Sequence, residues 1–162
     1  YGKNLTVLNL YVVNGHEVGS EKYDYKLSWL KNVKKQIKSD MVNTKYYVVL
    51  GDFNIAPDDN DIYDPEAWKD RILCSNKERA ALQDILDLGF KDSFRLFPQE
   101  KELYSWWDYR TGAFRRNRGL RIDLILSNDE LSKKCQTSYI DINPRKNERP
   151  SDHAPVVSVF DI

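Results

Sequence analysis

The segment Gly51-Asp52-Phe53-Asn54 directly follows an apolar run, 46–50, that is typical of a buried strand. Side chains two residues apart on an extended chain point the same way, so Asp52 and Asn54 can face one site at the end of this strand. A carboxylate accepts hydrogen bonds, whereas an amide also donates them. Such a pair can hold a water nucleophile and a phosphate oxygen. The alternative is a simple turn, because Gly, Asp and Asn all favour turns.

A second carboxylate, Asp123, lies in the middle of the apolar run 120–126. Desolvating a charge is costly, so a buried Asp123 needs a partner, and His153 is the natural candidate. This pairing would fix the imidazole tautomer and favour its charged form. Asp152 and His153 face opposite sides of an extended chain, so each needs its own partner, and Asp152 can help to bind a cation. The alternative for residues 151–155 is a polar turn.

Residues 104–110 combine aromatic rings with a cation, because four aromatic residues within six positions precede Arg110. Aromatic faces can stack on sugars or bases, and arginine can reach a phosphate; the alternative is that the rings pack in the core. The arginines that follow within seven residues are Arg115, Arg116, Arg118 and Arg121. Their guanidinium groups suit phosphate geometry, although a solvated loop is the alternative interpretation.

The elements that must position these groups alternate between helices and strands. Apolar residues at three- and four-residue spacing predict a helix from the N-cap Ser20 to about Ser39. Ser75 is the predicted cap of a second helix, 76–88, which Gly89 ends. Apolar runs predict strands at 5–13, 46–50, 104–109, 120–126, 137–142 and 156–160, with loops at 57–70 and 109–119. This order predicts a layered α/β (α+β) fold with helices covering a mixed sheet.

Composition limits the class of protein more than its function. The chain of 162 residues is long enough for one domain with a sizeable core. Its longest apolar runs are too short to span a bilayer. Cys74 and Cys135 form no CxxC pair and have no nearby histidine, which argues against a zinc site. The 25 basic residues balance the 25 acidic ones, so net charge gives no nucleic-acid signal.

Taken in chain order, six motifs resemble the exonuclease III family of apurinic/apyrimidinic endonucleases, within the wider endonuclease/exonuclease/phosphatase superfamily. They are Asn9-Leu10-Tyr11-Val12-Val13-Asn14-Gly15, Glu21-Lys22-Tyr23-Asp24-Tyr25-Lys26-Leu27, Gly51-Asp52-Phe53-Asn54-Ile55-Ala56-Pro57, Ser105-Trp106-Trp107-Asp108-Tyr109-Arg110, Asn117-Arg118-Gly119-Leu120-Arg121-Ile122-Asp123 and Ser151-Asp152-His153-Ala154-Pro155. The third and sixth occur across the superfamily, whereas the fourth and fifth are far more specific to the nucleases. The resemblance covers essentially the whole chain.

The resemblance implies a role for each matching residue. Asp52 would orient or deprotonate the attacking water, Asn54 would bind the scissile phosphate, and Tyr11 would contact that phosphate. Asp123 and His153 would form a hydrogen-bonded pair that stabilises the pentacoordinate phosphate. The implied metal-site residues are Asp52, Asn54 and Asp152. The implied substrate-binding residues are Trp106, Arg110, Leu120 and Ile122, three of which would wall a pocket for a flipped-out abasic sugar.

The activity implied is that of a metal-dependent DNA-repair phosphodiesterase. It would cleave the backbone 5′ to abasic sites and degrade 3′ ends in the 3′-to-5′ direction. The implied cofactor is Mg²⁺, with Mn²⁺ as the substitute. The implied partner is double-stranded DNA with abasic sites or 3′ ends, met in the cytoplasm at the nucleoid and without a membrane. Two alternatives stay open: a phosphatase or lipid phosphodiesterase of the same superfamily, and a non-catalytic DNA-binding fragment.

The fold implied is the C-terminal half of a four-layered α/β sandwich, with a mixed, mostly antiparallel sheet covered by helices. Residues 1–162 are therefore assigned to the C-terminal part of one such domain. In the family, the first half supplies an asparagine and the glutamate that is the principal metal ligand, and this sequence begins after both. We therefore expect weak or absent activity from the chain alone. Half a sandwich would also expose an apolar sheet face, so self-association through that face is expected.

Overall fold

The structure is a computed structural model that describes residues 4–162, so the first three residues of the predicted domain lie outside the described part. The strands are β1 (Leu5–Tyr11), β2 (Tyr46–Asp52), β3 (Phe90–Asp92), β4 (Asp123–Asn128), β5 (Cys135–Ile140) and β6 (Val156–Phe160). The α-helices are α1 (Glu21–Asp40), α2 (Pro65–Trp68), α3 (Asn76–Leu86) and α4 (Asp129–Ser132). Short 3₁₀ turns join several of them.

The strands form a mixed sheet in the order β1-β2-β4-β3 and a separate hairpin-like pair, β5-β6. β1 and β2 run parallel, whereas the β2–β4, β3–β4 and β5–β6 pairings are antiparallel. The parallel pair requires a crossover, and α1 supplies it between β1 and β2. The predicted mixed, mostly antiparallel sheet with helices is therefore confirmed.

Helices α1 and α3 pack on one face of the four-stranded sheet. Leu30 and Ile37 of α1 and Leu82 and Ile85 of α3 are fully buried in one apolar cluster with side chains of β1, β2 and β4. On the other face of β1, Val7 is 51% exposed. We call the face that contains Val7, Asn9, Tyr11, Leu50 and Ile125 the open face of the sheet.

Both predicted helix starts are confirmed by hydrogen bonds. The Ser20 hydroxyl accepts a hydrogen bond from the Tyr23 amide at 3.2 Å. Ser75 and Glu78 form a capping box at the start of α3, in which each side chain accepts a hydrogen bond from the other residue's amide. This α-helix ends at Leu86 rather than at 88, and Gly89 follows with φ = +100°. No helix within residues 4–162 is both long enough and apolar enough to cross a membrane.

The strand predicted at 104–109 is wrong. The amides of Ser105 and Trp106 both donate to the Leu120 carbonyl, whereas the Trp107 amide donates to the Asp152 carbonyl at 3.0 Å. Because successive amides turn to two different partners, no continuous ladder forms. The segment is instead a bridge between the start of β4 and the loop before β6.

Smaller differences concern where elements begin and end. β4 starts at Asp123 rather than at 120, because the preceding residues bond to the 104–107 bridge. The predicted loop 57–70 contains a 3₁₀ turn and the short helix α2. The three-residue strand β3 was not predicted; it pairs with β4 at the edge of the sheet.

Candidate active site

Three polar side chains lie in a row across the sheet where β1 and β2 end and β4 begins. Tyr11 of β1 is the cross-strand partner of Asp52, and Asp52 is the partner of Asp123 of β4. Cross-strand partners project from the same face of a sheet, so the three side chains share one surface. Tyr11 is 67% exposed, whereas both aspartates are partly buried. The structure thus brings together residues that are far apart in the sequence.

His153 completes this row from the loop before β6. Its Nδ1 lies 2.8 Å from Oδ2 of Asp123, and with a carboxylate acceptor this nitrogen carries the proton. Ligand atoms of Asp52, Asp123 and His153 all lie within 4.8 Å of one another. A cavity of about 430 Å³ opens beside them, and Leu50, Pro144 and Val156 contribute to its walls.

Gly51 allows β2 to continue to Asp52 through a backbone conformation that other residues rarely adopt. Its φ is +132°, and a Cβ there would lie 1.9 Å from the Leu10 carbonyl oxygen. Only glycine fits so close an approach of two backbones. The turn formers that left the sequence ambiguous are therefore part of what positions Asp52.

Asn54 holds Asp52 through both carboxylate oxygens. Its backbone amide donates to Oδ1 at 2.8 Å, and its side-chain Nδ2 donates to Oδ2 at 3.0 Å. Nδ2 also donates to the Val12 carbonyl at 2.9 Å, so both amide protons have protein acceptors. Asn54 is only 6% exposed and has a left-handed φ of 49°, which asparagine tolerates better than most residues. In this structure it orients Asp52 rather than facing solvent.

The electrostatics of the row favour a base and an acid side by side. Burial and the nearby Asp123 carboxylate raise the pKa of Asp52 to about 6. The pKa of His153 is also raised: burial opposes its charged form, but the hydrogen bond to Asp123 and that carboxylate's negative charge outweigh it. Near neutral pH the site can therefore hold a carboxylate able to accept a proton and an imidazolium able to donate one.

The predicted substrate-binding residues separate in the structure. Trp106 is partly exposed beside the site, and the Arg110 side chain is 88% exposed. Leu120 and Ile122, however, are 0% and 1% exposed in an apolar cluster with Ile62. Neither aliphatic side chain presents surface to a ligand, because α2 and the segment before it cover them. Of the three predicted wall residues, Trp106 alone reaches the surface.

Asp152 is tied to Trp106 instead of joining the aspartate row. The indole Nε1 donates to its Oδ2 at 3.0 Å. Asp152 is not part of the Asp52–Asp123–His153 group, and its place at or near a metal stays a prediction. It links the aromatic segment to the loop that carries His153.

Arg121 belongs to the core and not to a phosphate-binding surface. It is 1% exposed, and its Nε and Nη2 donate to the buried carboxylate of Asp61 at 2.6 and 3.1 Å. A further ion pair joins it to Asp92 at 2.7 Å. Burial opposes its charge, yet these carboxylates raise the pKa of Arg121 further. The exposed members of the predicted arginine cluster are Arg115, Arg116 and Arg118.

Two buried residues that support the site received no role from the sequence. The Ser105 hydroxyl accepts hydrogen bonds from the amides of Ile122 and Asp123, both at 3.0 Å. Lys26 donates to the Asn54 carbonyl from behind the row. A signal for Lys26 was present: it lies three residues after Tyr23 and four before Leu30, on the apolar stripe of α1, where an unpaired lysine is unfavourable.

The donor set of the row suits a hard divalent cation. Within residues 4–162, Asp52, Asp123 and His153 are the one group of three acidic, histidine or cysteine residues that converge closely enough to hold a metal. Mg²⁺ prefers oxygen ligands and keeps several waters, so two carboxylates at the edge of an open cavity are compatible with it. The side chain of Asn54 is occupied by protein partners, because its Nδ2 donates to Val12 and Asp52 and its Oδ1 accepts a 3.4 Å hydrogen bond from Asn14 Nδ2.

Comparisons with known proteins agree with this geometry. The sequence pattern described as the endonuclease/exonuclease/phosphatase family matches residues 2–153. Exodeoxyribonuclease III of Haemophilus influenzae is 36% identical over 96% of the chain and 61% of its own length. A solved 3′ phosphatase from Neisseria, bound to a product DNA hairpin, has a TM-score of 0.94 at 44% identity, over 96% of the chain and 61% of its own.

A solved AP endonuclease from Archaeoglobus fulgidus has a TM-score of 0.90 at 38% identity, over 98% of this chain and 62% of its own. The chain thus spans about three fifths of the length of these relatives. The mixed sheet and the row of polar residues lie within the residues that the family pattern matches. By this match over most of its length, the chain belongs to the endonuclease/exonuclease/phosphatase family.

Proposed function

We propose that the chain carries the phosphate-hydrolysing edge of a metal-dependent DNA-repair nuclease of the exodeoxyribonuclease III and AP endonuclease type. The observation that carries the proposal is the row Tyr11–Asp52–Asp123 with His153, whose aspartate and histidine ligand atoms lie within 4.8 Å of one another. The names of its relatives support a DNA backbone as the substrate.

In this proposal Asp52 is the general base. Without a bound metal, its carboxyl group has a pKa of about 6, so it is ionised at neutral pH and can accept a proton from water during attack on phosphorus. Asn54 keeps the carboxylate oriented, and Tyr11 reaches a phosphate oxygen. The His153 imidazolium, held by Asp123, stabilises negative charge on the phosphoryl oxygens as they pass through the pentacoordinate state.

A divalent cation, Mg²⁺ or in its place Mn²⁺, would be held by the carboxylates of Asp52 and Asp123, with Asp152 as a further proposed ligand. When bound, it neutralises phosphoryl charge and stabilises the leaving 3′ oxygen. The row itself supplies the remaining steps: it orients the water, takes its proton and holds the phosphate. The product would be a nick 5′ to the abasic sugar.

The substrate contacts proposed lie to one side of the row. Trp106 offers an apolar ring to a sugar that has lost its base, and Arg110 offers a guanidinium to a flanking phosphate. Contact with Leu120 and Ile122 would require the covering segment to move. We place such a nuclease in the cytoplasm with the chromosomal DNA, and we propose that isolated chains self-associate through the open face of the sheet.

The test is a nicking assay on a duplex oligonucleotide with one abasic-site analogue, with enzyme in excess. Because the chain spans 61% of its relative's length, we expect slow nicking in Mg²⁺, none in EDTA, and a loss of at least about 100-fold in Asp52→Asn, which lacks the proposed base. Nicking in EDTA, or by Asp52→Asn at the unaltered rate, would refute the proposal.

A second activity at the same row is removal of a 3′ phosphate from DNA, favoured by the likeness to the Neisseria 3′ phosphatase. The same assay with a 3′-phosphorylated duplex separates the two. Preferential release of inorganic phosphate would indicate that the chain removes 3′ phosphates from DNA ends.

A soluble phosphoinositide serves as the third substrate, and its preferential cleavage would favour the lipid phosphodiesterase alternative. Salt-sensitive DNA binding without any cleavage would favour a DNA-binding fragment.

A further inference from the structure

Lys26 is an ammonium group buried in the layer between α1 and the site. It lies on the face of α1 that also buries Tyr23 and Leu30, and its side chain is 0% exposed. Burying a charge there is costly unless every proton is bonded and the charge is balanced. Its partners therefore indicate what the residue does.

All three ammonium protons have acceptors. Nζ of Lys26 donates to the Asn14 carbonyl at 3.1 Å, the Asn54 carbonyl at 2.7 Å and Oε1 of Glu78 at 2.5 Å. Two of these acceptors are backbone carbonyls in the segments that follow β1 and β2, three residues after Tyr11 and two residues after Asp52. One side chain thus ties together the ends of two parallel strands.

Glu78 fixes this ammonium from the opposite side. Its Oε1 also accepts from the Leu73 amide at 3.2 Å, and its Oε2 accepts from the Ser75 amide and hydroxyl at 3.1 and 2.7 Å. The carboxylate is 0% exposed and balances the charge of Lys26. The position of Nζ is therefore set by α3 as well as by α1.

We propose that Lys26 is a positioning residue for the catalytic row, acting by anchoring the Asn54 carbonyl; this inference rests on the proposed function. Asn54 has a left-handed φ of 49°, a conformation that persists only where its surroundings hold it. Its amide and its Nδ2 bind the two oxygens of Asp52. Lys26 thus holds the backbone carbonyl of Asn54, while the two amide groups of Asn54 orient the Asp52 carboxylate.

The experiment compares Lys26→Met, which removes the ammonium at similar length, with Tyr23→Phe. Tyr23 lies one turn away on the same helix, and its hydroxyl forms a buried 2.6 Å hydrogen bond to Ser75 rather than to Asn54. A double variant, Lys26→Met with Glu78→Gln, removes the carboxylate left unpaired and restores the fold where the single variant is unstable. Each variant is measured for thermal unfolding, for kcat and KM in the nicking assay repeated with substrate in excess, and for the NMR signals of Asn54.

We expect kcat to fall about 100-fold in both Lys26→Met variants. KM should change little, because the substitution alters the orientation of Asp52 and leaves the substrate contacts in place. The Asn54 backbone and side-chain amide signals should shift in the same variants. Tyr23→Phe should lose stability but keep kcat within twofold and leave the Asn54 signals in place.

Unshifted Asn54 signals in a folded Lys26→Met variant would overturn the inference, whether or not the chain cleaves DNA. A kcat that recovers with stability in the double variant would also overturn it, since Lys26 would then be only structural. If the unaltered chain does not nick DNA, the proposal that it cleaves DNA on its own fails, while the NMR comparison still decides whether Lys26 holds Asn54.

Discussion

Asp52 is placed where its charge opposes folding. Burial and Asp123 raise its pKa from 3.8 to about 6, so ionisation destabilises the folded state above pH 6. A shift of this size corresponds to roughly 2–3 kcal/mol. The gain from Asp52→Asn is smaller, because a side-chain amide can accept only one of the two hydrogen bonds that Asn54 donates to the carboxylate. We therefore expect Asp52→Asn to stabilise the fold by on the order of 1 kcal/mol at pH 7.

The sign follows from the two protonation states. Below about pH 4 both the folded and the unfolded chain carry a neutral Asp52, so the stabilisation by Asp52→Asn should vanish there. Above about pH 6 this stabilisation should be complete. Urea unfolding at pH 4, 5.5 and 7 checks this. If Asp52→Asn were less stable than the unaltered chain at pH 7, ionisation of Asp52 would not be destabilising the folded state.

The Asp123–His153 pair predicts how activity depends on pH. The Asp123 carboxylate raises the pKa of His153, so the imidazolium is present at low pH and is lost as pH rises through its folded pKa. Asp123 also raises the pKa of Asp52. In Asp123→Asn both influences disappear, and both limbs of the bell-shaped profile of kcat/KM should move to lower pH.

The measurement is kcat/KM for nicking from pH 5 to 9 in the unaltered chain and in Asp123→Asn. His153→Asn is the matched variant, and it should lose the alkaline limb entirely. An alkaline limb that stays in place in Asp123→Asn would mean that the acid is a different group.

Among single residues, the polar side chains at strand ends could be predicted from the sequence, but the buried residues that hold them in place could not. Asp52 and Asp123 stood out because carboxylates interrupt or end apolar runs. Ser105 could not be identified, since its role depends on which amides a distant strand brings to its hydroxyl. Arg121 was misjudged because sequence clustering with exposed arginines hid its burial against Asp61.

Among the elements, the 104–107 bridge joins the start of β4, which carries Asp123, to the loop before β6, which carries His153. Its backbone bonds to Leu120 on one side and to Asp152 on the other. Ser105 adds two bonds to the amides of Ile122 and Asp123, and it is 0% exposed. Ser105→Ala would leave both amides without this acceptor in a space too closed for easy replacement.

We expect Ser105→Ala to destabilise the chain by about 2 kcal/mol, the typical cost of unsatisfied buried amides, and to lower nicking activity by loosening Asp123. Chemical denaturation and the nicking assay measure the two effects. Ser151→Ala is the matched control, because this exposed hydroxyl accepts only the His153 amide. Equal stability of Ser105→Ala and Ser151→Ala would contradict the prediction.

Helices α1 and α3 were predictable because apolar spacing and serine caps agree, whereas the bridge was not. Its aromatic side chains have the composition of a strand, and local propensity cannot reveal that successive amides turn to different partners. β3 is too short to produce a periodic pattern, and its pairing with β4 depends on the tertiary fold.

For the whole molecule, the open face of the sheet is the surface through which we expect chains to associate. Val7 and Tyr11 are 51% and 67% exposed there, and Leu50 and Ile125 lie beside them. We expect concentration-dependent dimerisation or higher association through this face, because pairing two such faces removes apolar surface from water.

Sedimentation velocity from micromolar to submillimolar concentration tests this. Val7→Lys should weaken association at least about tenfold, because it places a charge in the buried contact. Val42→Lys is the control, since Val42 is 79% exposed in the turn after α1 and away from the open face. Equal effects of the two substitutions would assign association to a different surface.

The row of catalytic side chains draws on β1, β2, β4 and the loop before β6, so no short stretch of chain contains it. His153 is the last of these residues to be synthesised, and Asp123 cannot meet it until the sheet and the bridge are in place. A nascent or partly unfolded chain therefore lacks the pair that we propose to stabilise the phosphate. If the proposed activity holds, the topology makes the chain chemically competent only once its folding is complete.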